Sequence, residues 1–169
     1  MSAEAKKGLS PKVIIVGVAV VVVVAIVLFM TVGRGDPAVR AVMELPEMVV
    51  TLETADGDQV QIDVRHAATP DGRTAAFRGL PAEAMEDLFL YLVFPFEATA
   101  ARSFENLRTD VDMAFFDREG ELLQVFNVSS GSTDGYRPDD RYQYILIAKS
   151  GALADKGIEE GSSLVLTVR

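Results

Sequence analysis

The hydrophobic pattern divides the chain in two. From Val13 to Val32 every position is uncharged and ten are valine, with only Gly17, Ala19, Ala25 and Thr31 breaking the bulky apolar series. As a helix, such a run spans about 30 Å, the thickness of a bilayer hydrocarbon core. Valine favours strands, but strands in globular domains seldom exceed about 10 residues, so the run predicts a transmembrane helix. A cleaved signal peptide has a shorter apolar region ending at a small-x-small site, and Thr31-Val32-Gly33-Arg34-Gly35-Asp36-Pro37 offers none. The pattern therefore predicts an uncleaved anchor over residues 13–32. Lys6, Lys7 and Lys12 precede it, whereas Arg34 and Arg40 follow it. This charge bias predicts a cytoplasmic N-terminal segment over residues 1–12 and an extracytoplasmic C-terminal domain, periplasmic or at the cell surface.

After a Gly- and Pro-containing linker over residues 33–45, the pattern changes to short apolar runs separated by turn residues. Met48 to Thr54 and Gln59 to Arg65 flank Ala55-Asp56-Gly57-Asp58, whose Asp-Gly pair suits a tight hairpin. Val60, Ile62 and Val64 alternate with Gln59, Gln61, Asp63 and Arg65, the mark of a half-buried strand. A second hairpin joins Val111 to Phe116 with Glu121 to Val128 through Asp117-Arg118-Glu119-Gly120. Tyr142 to Ala148 and Ser163 to Val168 predict two further strands. One helix is predicted from Pro81 through Leu88, with Pro81 at its first position. Ser129 to Arg141 is a long polar loop. The pattern thus predicts one mainly β domain over residues 46–169, with one or two short helices.

Charge sharpens this division. The 169 residues hold 25 acidic and 16 basic side chains, for a formal net charge of -9. Residues 1–12 carry three Lys and one Glu, so Gly33 to Arg169 holds 24 acidic and 13 basic side chains, a net of -11. An acidic domain without a basic run argues against nucleic acid as a partner. The absence of cysteine excludes disulfides, thiol catalysis and Cys-ligated metals, and a single His excludes a three-His zinc site. No metal or other cofactor is expected.

The segment from Asn106 to Asp117, ending Val111-Asp112-Met113-Ala114-Phe115-Phe116-Asp117 and followed by Gly120, resembles a signature of the domain-of-unknown-function family numbered 192. Leu92-Val93-Phe94-Pro95 resembles a strand of that family, and Tyr144-Ile145-Leu146, Gly151, Gly157-Ile158 and Gly161 resemble its closing pattern. The resemblance runs in order from about Val49 to Val168. It implies a small antiparallel β-sandwich, jelly-roll-like, of the kind frequently found behind a signal peptide or anchor, with no established activity. Asn106, Asp112, Asp117, Gly120 and Gly151 match the family pattern. Ala76-Phe77-Arg78-Gly79-Leu80 keeps only an Arg and a Leu of a longer motif, and Ile147 stands where the family has Glu.

Asp110 and Asp112 should share a face of one strand, since side chains alternate with period two. Together with Asp117 they could bind a hard cation or divide acid and base roles, although two strand carboxylates fall well short of a calcium ligand set. Their ordinary role is a solvated hairpin face. Asp112, the one charge within an apolar run, is the leading candidate, followed by Asn106, Asp110, Asp117 and Arg78 as ligand-binding residues. His66, placed just beyond a predicted strand, has no singled-out serine for a triad. The expectation is a membrane-anchored, non-catalytic binding module for an envelope component or partner protein. The alternative is a metal-assisted or carboxylate-based hydrolase centred on Asp112.

Overall fold

The computed structural model describes residues 35–166. The predicted cytoplasmic segment and membrane span lie outside the described residues, and no helix within them is long and apolar enough to cross a membrane. The body from Pro37 onward is mainly β. Its strands are β1 (Glu47–Glu53), β2 (Gln59–Ala67), β3 (Leu90–Ala98), β4 (Val111–Phe116), β5 (Leu122–Val128), β6 (Tyr142–Lys149) and β7 (Ser163–Leu164). The helices are α1 (Pro37–Met43), α2 (Pro70–Ala76) and α3 (Ala82–Met85), with a 3-10 turn at Ala154–Lys156.

All seven strands form one sheet in the order β5-β4-β6-β3-β2-β1-β7. The expected two-sheet sandwich is therefore corrected to a single curled sheet, a half-barrel. Its curl brings the two edges together at one end, where Glu121 bridges Ser163, Leu122 N donates to Ser162 O at 3.0 Å and Leu164 N donates to Gly120 O at 2.7 Å. The inside of the curl packs Leu52, Ile62, Tyr91, Phe116, Leu146 and Leu164, which come from six different strands. The outside is covered by helices and loops, where a sandwich would place a second sheet. Met113, Phe115, Ile145 and Ile147 pack there against Val42, Leu80, Met85 and Leu107.

The expected hairpins form. β1 and β2 pair antiparallel from Glu47↔Arg65 to Glu53↔Gln59, with Gly57 at φ 87° in the turn, a conformation that glycine adopts without Cβ strain. β4 carries apolar residues on successive positions because both its faces are covered, and all six of its residues are buried. One pairing departs from the antiparallel expectation: β2 and β3 run parallel through Arg65↔Leu90, His66↔Tyr91 and Ala67↔Leu92. Parallel neighbours need a long crossover, and here it contains α2 and α3.

The helical content also exceeds the expectation. The linker segment holds α1, which buries Ala38 and Val42 and so docks on the body; proline is tolerated at a helix start and did not prevent it. Thr69 caps α2, its hydroxyl accepting from Gly72 N at 3.1 Å, and Pro70 opens the first turn. Around Pro81 the helix is short, Ala82–Met85, with Pro81 as its extended N-cap. His66 lies inside β2, half-buried, where the sequence suggested a loop.

Candidate functional site

The carboxylates singled out in the sequence sit at the two ends of β4. At its start, Asp112 is only 2% exposed. Its Oδ1 accepts from Asn127 Nδ2 at 2.5 Å, and its Oδ2 accepts from Gly151 N at 2.7 Å. One side chain thus ties β4 to β5 and to the turn that follows β6. Asp110 stands beside it: its Oδ1 accepts from Ser130 N at 2.7 Å, and its carbonyl accepts from Ser150 N at 3.1 Å. Asp117 is at the far end of a six-residue strand, about 17 Å away at 3.3 Å per residue. There its Oδ1 accepts from Glu121 N at 2.9 Å and shapes the β4–β5 turn. Among the described residues, no group of three or more His, Asp or Glu could hold a metal ion.

Asn106 and Arg78 belong to a second cluster, under the outer face of the sheet. The strand-like bridge Arg78↔Glu105 zips two segments together, with Glu105 N donating to Phe77 O and Gly79 N donating to Glu105 O, both at 2.8 Å. A Cβ on Gly79 would fall 1.7 Å from Asn106 O, so only glycine permits this approach. Asn106 has φ 56°, the left-handed region that Asn enters more readily than most side chains. Arg108 donates twice to Gly79 O, from Nε at 2.9 Å and Nη2 at 2.6 Å.

Arg78, Thr109 and Ile147 help to line a void of about 10 Å³ in this cluster. Ile147 is fully buried there. The position at which the resembled pattern carries an acid is therefore part of an apolar wall.

His66 stacks on Tyr91 with ring centroids 5.9 Å apart. Burial lowers its pKa from the ordinary 6.5, because desolvation disfavours the charged imidazolium. Burial likewise raises the Tyr91 pKa, helped by the neighbouring Tyr144. No hydrogen bond joins His66 to a serine among the described residues, and Ser132 Oγ instead pairs with Tyr136 OH at 2.9 Å.

Sequence reasoning missed a third feature. A groove of about 830 Å³ opens between α1, the β1–β2 hairpin and the segment around α3. Its apolar lining includes Met43, Met48, Val49 and Phe89. Met43 is 51% exposed, Val49 52% and Met48 38%, unusual for large apolar side chains gathered in one place. Its charged lining consists of Glu47, Asp63, Glu83, Glu86 and Asp87 against the single cation Arg65. Arg65 is already engaged: Nη2 meets Glu47 Oε1 at 2.5 Å, while Nη1 donates to Met43 O at 3.0 Å and Leu45 O at 3.1 Å. The volume lies within the ~300–1,000 Å³ typical of ligand sites. In the sequence, Met48 and Val49 appear only as part of a strand and Met43 as linker, so nothing linear marked them as neighbours.

A comparison with protein families matches residues 51–166 to DUF192, described as "Uncharacterized ACR". No curated protein matches the chain. Two solved structures share the fold. One, from Sinorhizobium meliloti 1021 and described as a candidate transcription regulator, is 21% identical, with a TM-score of 0.62 over 71% of this chain and 93% of its own. The other, a protein of unknown function from Novosphingobium aromaticivorans, is 17% identical, with a TM-score of 0.61 over 79% of this chain and 94% of its own.

Proposed function

The chain belongs to the uncharacterised DUF192 family, and we propose that it is a membrane-anchored, extracytoplasmic, non-catalytic binding module for an envelope component or partner protein. The groove beside α1 carries this reading. Here large apolar side chains and unmatched charge gather around an open volume of ligand-site size. α1, which forms one wall, begins five residues after the predicted span ends at Val32.

The residues that match the family pattern support the non-catalytic half of the proposal, because each has a structural task. Asp112 and Gly151 tie strands to a turn, Asp117 and Gly120 form a hairpin end, and Asn106 lets two segments meet. Both Asp112 oxygens are occupied by protein donors.

The chain has no cysteine, so single Cys substitutions give a clean test. V49C in the groove and F96C outside it, where Phe96 is 81% exposed, would be treated with a membrane-impermeant maleimide in spheroplasts. Labelling of F96C from outside, with V49C protected in the membrane but reactive in the purified chain, is the expected result. Failure of F96C to label until the membrane is opened would refute the orientation. Equal labelling of both sites in the membrane would refute groove occupancy.

A further inference from the structure

Taking the groove as the binding site, we infer that its occupant is a peptide segment of a partner protein that combines basic and apolar side chains. Charge complementarity selects this chemistry. Of the five acids lining the groove, Glu47 is paired with Arg65 and Glu86 with Lys149, each at 2.5 Å. Asp63, Glu83 and Asp87 have no cationic partner among the described residues. A ligand seated between them is held in a negative field, which attracts Lys or Arg and repels phosphate-bearing lipid headgroups.

The apolar lining specifies the other half. Met43 and Met48 are flexible, polarisable side chains that reshape around different apolar partners, and Val49 and Phe89 add fixed apolar contact. Uniform apolarity would suit a lipid chain, and uniform acidity a metal or polyamine. Apolar and acidic lining together match a peptide that carries both apolar side chains and cations, the pattern of segment-in-groove recognition. The volume of about 830 Å³ accommodates a few side chains rather than a whole domain.

The methionines provide a local readout that a surrounding membrane mimic does not obscure. The chain has six; Met43 and Met48 lie in the groove, whereas Met85 and Met113 are buried elsewhere. The full chain, with 13C-labelled methionine methyls and held in zwitterionic nanodiscs, would be titrated with three synthetic peptides sharing one apolar pattern. Their charged positions would be Lys, Ser or Glu.

The Lys peptide should shift the Met43 and Met48 methyls while leaving Met85 and Met113 in place. Its affinity should fall about tenfold in the double variant E83K/D87K and fall again in high salt. Equal shifts with the Glu peptide, or no effect of E83K/D87K, would overturn the assigned chemistry while leaving the groove as a binding site. No shift with any peptide would also overturn it, and the V49C protection experiment then decides separately whether the groove is occupied at all. Shifts of Met43 and Met48 that grow with protein concentration in the absence of peptide would assign the groove to a second copy and overturn it as well.

Discussion

Replacing Asp112 with alanine separates a structural carboxylate from a catalytic one. Asp112 is 2% exposed and accepts two hydrogen bonds, from Asn127 Nδ2 and Gly151 N. A hydrogen bond to a charged acceptor contributes about 1.5–3 kcal/mol, and D112A also leaves the Gly151 N–H without its acceptor in a buried corner. The two losses are coupled through one side chain, so they do not simply add, and a total of about 3–5 kcal/mol is expected. At about 2.1 cal/mol/K of unfolding entropy per residue, a domain of this size loses roughly 3 °C per kcal/mol, so the melting temperature should fall by about 10–15 °C. Circular dichroism of the full chain in detergent gives this directly.

D110A is the comparator, since Asp110 supports one bond to Ser130 N at an exposed site and should lose only about 2–5 °C. The double variant D112N/N127D keeps one donor and one acceptor facing each other, and should recover most of the loss. A D112A chain melting within about 3 °C of the parent, or above it, would refute the structural assignment; relief of stability on removal of a charge is what a catalytic acid shows.

Other positions give independent checks. G79A places a methyl 1.7 Å from Asn106 O, against backbone that cannot step aside, and should prevent folding or cost upwards of about 4 kcal/mol in a melt. His66 is held below its ordinary pKa of 6.5 by burial, so the unfolded chain takes up this proton first as pH drops. Its contribution is present above about pH 6.5 and is lost as pH falls through the folded value. H66Q should therefore melt with a shallower acid-side decline than the parent, and parallel pH profiles would contradict this. V49K, at an exposed groove position opposite Asp63 in the β1–β2 register, should leave the melting temperature within about 2 °C while abolishing the shifts of Met43 and Met48 by the Lys peptide.

Strand positions were legible wherever a local pattern reflects a local cause. β4 has the predicted bounds, Val111–Phe116, and β5 and β6 fall within one residue of theirs, because apolar runs closed by Asp, Gly or Ser state both burial and turn. The sheet's curl was not legible. It depends on Ser163 reaching both Glu53 and Glu121, residues 110 and 42 positions away in sequence, through a strand of only two residues. α2 was hidden by Gly72, Arg73 and Thr74, a mixed helical stretch, although Thr69-Pro70 carried the cap and first-turn signal.

The candidate residues were legible as special but not as to their task. A lone Asp in an apolar strand looks the same whether it meets a substrate or a turn's N–H, and only the position of Gly151, 39 residues on, distinguishes them. The groove was illegible for the opposite reason. Met43 and Met48 are unremarkable in sequence, and the chain brings them to Phe89 only when α1 and the segment around α3 dock beside the β1–β2 hairpin.

The most direct test of a tethered binding module is site-specific photocrosslinking of the full chain in its native membrane, with the reactive group at Met48 or at Phe96. A discrete adduct from Met48 that is absent from Phe96, and that disappears when E83K/D87K is introduced, is the predicted result. Adducts of equal yield from the two positions, or an adduct from Met48 that is indifferent to the charge reversal, would contradict it.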